Sequence, residues 1–226
     1  MQARTLELQE RTVELDAARL ETLRRLALAA EYRDDETFEH AERVGRTAAL
    51  LGERLGLTTG EVERLRQAAP LHDIGKLAVS DSILLKRGKL TPGEWQQMKS
   101  HTTAGEAILS GSNSEVLSLA GAIALTHHEW WDGTGYPAGL RGEGIPLHGR
   151  IVCLADVYDS LTHSRPYKAA WSVERAVAEI QSLSGRQFDR AVVDAFEQFD
   201  PYELAELPHA ALAPARTAAR IATTAR

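Results

Sequence analysis

Apolar residues recur along this chain three or four positions apart, the spacing of a buried helix face, and almost nowhere alternate as they would in a half-buried strand. Residues 1 to about 33 contain no proline or glycine. There Leu6, Val13, Leu20 and Ala27 recur at heptad spacing with Leu23 and Ala30 beside them. This predicts one long helix that needs a partner, either its own domain or a coiled-coil mate. The stretch RDDETFEHAERVGRTAALLGERLGL predicts a second helix over 33–57, capped by Asp34 or Asp35, with Val44, Ala48, Leu51 and Leu55 as its apolar stripe. Thr59 starts a third, with Val62, Leu65 and Leu71; it is expected to bend at Pro70, deliver His72 and Asp73 near its end, and stop at Gly75. The polar connection SDSILLKRGKL then leads to Thr91-Pro92-Gly93-Glu94, which combines a cap, a proline at the first helical position and the returning glutamate of a capping box. That helix runs toward His101, and the small residues from Thr102 to Gly105 let another segment approach.

Residues 116–128 (VLSLAGAIALTHH) are apolar nearly all round and predict a buried helix ending on His127 and His128. Gly133, Gly135, Pro137, Gly139, Gly142, Gly144 and Pro146 exclude a helix interior and predict a shaped loop over a site. Helix resumes from Arg150 to Leu161; Ser172 caps a further one that Gly185 ends, and Ala191 to Phe199 forms the last. The fold class read from this pattern is all-α. It divides into an N-terminal helical connector over 1–32, a helical domain over 33–207, and a C-terminal tail over 208–226 of low complexity, expected to be loosely held.

Charge narrows the partners. A formal net charge of −6 disfavours a broad DNA or RNA surface, so an anionic substrate must be drawn by metal ions or a few placed cations. The single cysteine, Cys153, lies in an apolar run and is read as core; one cysteine excludes an intramolecular disulfide framework and cysteine-rich metal sites. No apolar run is long enough for a bilayer, and Glu7, Glu10, Glu14 and Asp16 exclude a signal peptide at the N-terminus, so a soluble cytoplasmic protein is expected.

The candidate chemistry lies in histidines and carboxylates. His72-Asp73 offers a nitrogen ligand beside an oxygen ligand able to bridge two cations, with Lys76 adding positive charge. Glu36 and His40 share a helix face, either as a surface ion pair or as ligands. Adjacent His127 and His128 both need polar partners, and Asp156, inside an apolar helical run, must be paired or ligated. Arg165, Tyr167 and Lys168 follow close behind. Tyr136, Trp130 and Trp131 either stack on a substrate base or anchor the glycine-rich loop, with anchoring the favoured reading. His148, His163 and His209 are read as ordinary residues.

Three ordered stretches carry a resemblance: His72-Asp73-Ile74-Gly75-Lys76, then HHEWWDGTGYP over 127–137, then ADVYDSLT over 155–162 with Arg165-Pro166-Tyr167-Lys168. Together they resemble the HD-GYP family, cyclic di-GMP phosphodiesterases of the HD superfamily, over roughly residues 30 to 200. The resemblance implies an HD-type helical bundle around two or three divalent metal ions, commonly iron or manganese. Its ligands would be His40, His72, Asp73, His101, His127, His128 and Asp156, with Glu36 matching members of the trinuclear type. Lys76 would contact the scissile phosphate, Arg165 and Lys168 the substrate phosphates, and Gly135-Tyr136-Pro137 is the signature loop. Departures are Pro70, where a plain apolar residue is usual, and Ser160, where alanine is common; neither removes a ligand.

The ligand set makes Asp73 the candidate metal bridge, with a hydroxide shared by two ions attacking phosphorus. The expected reaction is hydrolysis of cyclic di-GMP to pGpG, and possible further cleavage to GMP. Alternatives are another cyclic dinucleotide, a nucleoside phosphate, which the glycine-rich loop and the RPYK segment count against, or an idle domain that senses nucleotide or docks a partner. A homodimer through the N-terminal helix and an upstream sensor or receiver domain are the expected assembly.

Overall fold

Val44, Ala48 and Leu51 are fully buried, as the apolar stripe requires, on α2 (Phe38–Arg54). In the computed structural model, which describes residues 2–33, 38–164 and 169–205, α2 packs against α3 (Thr59–Ala68) and α8 (Leu147–Thr162). Helix α7 (Glu115–Thr126) lies against α3, α8 and α6 (His101–Leu109). Leu65, Leu71, Ile123, Ile151 and Leu154 fill the space between these helices and have no exposed surface. Each such side chain contributes roughly 1.5–3 kcal/mol by leaving water, so this shared apolar centre fixes where the helix ends point. Helices α9 (Val173–Ser182), α10 (Arg190–Phe196) and α11 (Pro201–Ala205) add Ala176, Ile180, Val192, Phe196 and Leu204 to the same core. The described residues contain no strand, only an isolated bridge between Ser184 and Phe188, so the fold is the all-α bundle that the periodicity implied. None of its helices is long and apolar enough to cross a membrane.

The long first helix is present as α1 (Gln2–Arg33). Its second half packs on the domain through Leu20, Leu23 and buried Ala27, whereas Val13, 69% exposed, and Leu15 face outward. Arg33 closes the helix by reaching Asp81 Oδ1 at 2.5 Å and the Val79 carbonyl at 3.1 Å.

The third helix departs from expectation in a way that shapes the site. It starts with a Thr58/Glu61 capping box and ends at Ala68, because Pro70 has no N–H for the helical ladder and its ring clashes with the preceding turn. A 3₁₀ turn over Ala69–Leu71 follows, then His72 and Asp73, then a second 3₁₀ segment over Ile74–Ala78. Gly75 therefore lies inside a turn and stops no helix. A Cβ there would collide with the His101 carbonyl and the Gly105 amide, so glycine lets this turn press onto α6. The polar connection contains a short helix, α4 (Asp81–Leu84). The Thr91/Glu94 capping box opens α5 (Pro92–Lys99), which ends at Ser100, and His101 begins a new helix. The expected cap at Asp34 or Asp35 and the tail over 208–226 fall outside the described residues.

Candidate metal centre

Four helices and one turn deliver the histidines and aspartates to a common point. His40 comes from α2, His72 and Asp73 from the turn after Pro70, His101 from the head of α6, His127 and His128 from the chain after α7, and Asp156 from α8. Their ligand atoms form two groups, each within 4.8 Å of one another: Asp73, His101, His127 and His128 in one, His40, His72 and Asp156 in the other. The two groups meet at the Asp73 carboxylate. Oδ1 lies 3.3 Å from His101 Nε2 and 3.6 Å from His127 Nε2, while Oδ2 lies 3.5 Å from His72 Nε2 and 2.9 Å from Lys76 Nζ.

The imidazoles are oriented from behind. His72 Nδ1 is 2.9 Å from the Ala69 carbonyl, His101 Nδ1 is 2.7 Å from that of Met98, and His127 Nδ1 is 3.0 Å from that of Ala124. A carbonyl only accepts, so each Nδ1 carries the proton and each Nε2 lone pair faces inward. Burial pushes the pKa of His72, His101 and His128 below the ordinary imidazole value, which favours the neutral, ligating form. At Asp73 burial acts upward, but the Lys76 ammonium beside it counters this, and the carboxyl lies well below its usual range.

The buried Nε2 atoms of His72, His101 and His127 and Oδ1 of Asp73 make no hydrogen bond. Four convergent orphaned polar atoms are costly unless a further group completes them. Imidazole nitrogens and carboxylate oxygens without thiolate fit divalent iron, manganese or zinc, so these residues suit a metal centre.

Sequence reasoning missed two residues that hold this arrangement. Asp159 is 5% exposed; its Oδ2 is 2.7 Å from His40 Nδ1, and Arg43 donates to both of its oxygens at 2.5 and 3.0 Å. Burial would raise this carboxyl, yet the bonds from His40 and Arg43 bring it down to about 2. The signal was available: Asp159 lies in the same apolar run as Asp156 and faces the same requirement for a partner. Glu129, 1% exposed, accepts the Ala138 and Leu140 amides at 2.7 and 2.9 Å and folds the glycine-rich loop back on itself. Gly135 packs so closely on the backbone of His128 to Trp130 that a Cβ would collide with it.

That loop lays Tyr136 over the centre, its ring centroid 4.8 Å from that of His128 and 6.4 Å from that of His101. Trp131 instead anchors: its amide donates to the Gln187 carbonyl at 3.1 Å and its ring lies against the Arg150 guanidinium. Ser160 Oγ lies 3.5 Å from Asp156 Oδ1. His163 contacts Asp159, and Cys153 is buried with its thiol pushed up to about 12 by burial. Glu36, Arg165, Lys168 and His209 fall outside the described residues.

A family model described as an HD domain matches residues 24–192. The chain is 48% identical over 196 residues to the cyclic di-GMP phosphodiesterase response regulator RpfG of Xanthomonas campestris, covering 85% of this chain and 52% of that protein. It is 51% identical over 176 residues to a cyclic di-GMP phosphodiesterase of Thermotoga maritima, covering 78% and 48%. The chain thus spans about half the length of these curated relatives. Among solved structures, a cyclic GMP-AMP-specific phosphodiesterase of Vibrio cholerae superposes with a TM-score of 0.59 at 23% identity, over 79% of this chain and 48% of that one, and shares the fold.

Proposed function

The chain belongs to the HD domain family, in its HD-GYP branch, and from that premise we propose that it is a metal-dependent phosphodiesterase that opens cyclic di-GMP to linear pGpG. The observation that carries this reading is the meeting of two ligand groups at one carboxylate, Asp73, with the Lys76 ammonium 2.9 Å away. His40, His72 and Asp156 would hold one metal ion and His101, His127 and His128 another, with Asp73 between them. A third ion, for which Glu36 would be a ligand, and onward cleavage to GMP extend the same reading. Divalent iron or manganese bound there would supply Lewis acidity toward a phosphoryl oxygen and lower the pKa of water.

The residues of the chain do the placing. Lys76, 8% exposed and fixed by Asp73, puts positive charge where phosphoryl oxygens gain negative charge; losing one such donor typically costs on the order of 10²–10³ in rate. Arg165 and Lys168 would hold the second phosphate and so orient the ring. In the reaction the oxygen of water bonds to phosphorus, the bond from phosphorus to the ribose 3′-oxygen breaks, and that oxygen takes up a proton. The products carry a 5′-phosphate and a free 3′-hydroxyl, which is pGpG.

Helix α1 is read as the connector to a regulatory domain and as the contact of a homodimer, supported by outward-facing Val13 and Leu15. Light scattering with and without residues 1–30 tests the dimer. Protein loaded anaerobically with Fe(II) or Mn(II) should linearise cyclic di-GMP, and Asp73→Ala should not. Full activity in that variant sinks the metal mechanism. Preferential cleavage of cyclic GMP-AMP or cyclic di-AMP in the same assay reassigns the substrate, and tight binding without turnover favours a sensor.

A further inference from the structure

Trp95 belongs to neither apolar cluster of the fold. Its helix, α5, buries no residue, and it touches the small cluster of Val79, Ile83 and Leu84 through Met98. Trp95 itself is 45% exposed. A lone exposed aromatic needs no explanation, but this one has a specific neighbour. Its ring stands edge-on to Tyr136 with centroids 6.1 Å apart, and Tyr136 in turn covers His128. One helical turn after Trp95, Lys99 brings its ammonium to 5.5 Å from the same Tyr136 ring. Trp95, Lys99 and Tyr136 thus line the rim between α5 and the glycine-rich loop, on the side of the centre formed by His101 and His128.

We propose that this rim is a purine subsite, in which Trp95 stacks on one base of the dinucleotide and Lys99 faces the acceptor edge of that base. The proposal rests on the phosphodiesterase reading for its substrate class. An indole face accepts any base by stacking, whereas an ammonium selects: guanine offers O6 and N7 as two adjacent acceptors, while adenine pairs one acceptor with an amino donor. Lys99 is therefore the element that would favour guanine. The bland role for Trp95 is to prop Tyr136, and the two roles differ in what they do to a ligand without a base.

The test compares wild type, Trp95→Ala, Trp95→Phe and Lys99→Ala, each loaded with Mn(II). Trp95→Ala should raise the KM for cyclic di-GMP on the order of 5- to 100-fold with kcat little changed, and Trp95→Phe should recover most of the loss. Binding of ribose 5-phosphate, which carries a phosphate but no aromatic ring, should be unchanged in both. Lys99→Ala should narrow the preference for GMP over AMP measured by calorimetric binding. An unaltered KM in Trp95→Ala, or an equal loss of affinity for ribose 5-phosphate, overturns the subsite. GMP binding is measured on the same proteins independently of turnover. If wild type cleaves no cyclic dinucleotide, the phosphodiesterase reading fails; the subsite still stands if Trp95→Ala weakens GMP binding and falls if it does not.

Discussion

Asp159 holds His40 from behind: its Oδ2 accepts a hydrogen bond from Nδ1 at 2.7 Å, which leaves Nε2 of His40 turned toward Asp156 at 3.4 Å. An imidazole can rotate about two bonds, so a ligating histidine works best when its other nitrogen is fixed. Arg43 donates to both oxygens of Asp159, which makes the carboxylate itself rigid.

Replacing Asp159 separates this positioning role from simple stability. Asp159→Ala leaves buried Arg43 with only the exposed Glu39 carboxylate at 3.7 Å, and breaking such a buried pair typically costs about 3–5 kcal/mol. Asp159→Asn keeps one acceptor for His40 and should fold, but with metal affinity reduced roughly 10- to 100-fold. Metal titration followed by calorimetry checks this. Wild-type affinity in folded Asp159→Asn means that His40 needs no such partner.

Metal removal and single-ligand variants resolve the two groups of ligands. Chelation should abolish turnover, and Mn(II) should restore it. Elemental analysis of wild type should give about two to three metal equivalents, with His40→Ala and His101→Ala each lowering the content by about one. Asp73→Ala, which faces both groups, should lower occupancy further than either. A wild-type content unaltered by His101→Ala would remove that residue from the ligand set.

Much of this candidate centre was legible because histidine and aspartate side chains are chemically distinctive. His72-Asp73, His127-His128 and Asp156 declared themselves as polar groups in apolar company, and the helical period placed the two pairs at element ends and Asp156 inside its helix. The path between them was less legible. Where α3 stops, and why Gly75 is glycine, depends on the approach of α6, a contact between distant parts of the chain. Glu129 was hidden for a similar reason: a glutamate beside two histidines reads as another polar residue until the Ala138 and Leu140 amides are seen to converge on it.

Glu129→Gln tests that loop clasp. Glutamine keeps one oxygen, so one of the two amides must face a donor, and an unsatisfied buried group costs about 1–3 kcal/mol. The expected result is a lower melting temperature, faster hydrogen exchange at Ala138 and Leu140, and a raised KM as Tyr136 loses its place. Unchanged exchange at both amides would show that the loop is held by other contacts.

Arg33 links the end of α1 to the segment that carries Lys76. Its guanidinium lies 3.5 Å from the carbonyls of both Lys76 and Leu77, 3.1 Å from that of Val79 and 2.5 Å from Asp81 Oδ1. The ion pair alone is weak, because the Asp81 side chain is 68% exposed, and such pairs contribute about 0–1 kcal/mol. The carbonyl contacts reach the backbone that positions the Lys76 ammonium against Asp73. Asp81→Ala should therefore leave turnover near wild type, whereas Arg33→Ala should lower kcat severalfold at nearly unchanged melting temperature. Steady-state kinetics on the two variants decide it: equal kcat values would assign Arg33 only its surface ion pair, and a lower kcat in Arg33→Ala would make α1 a lever on the catalytic turn.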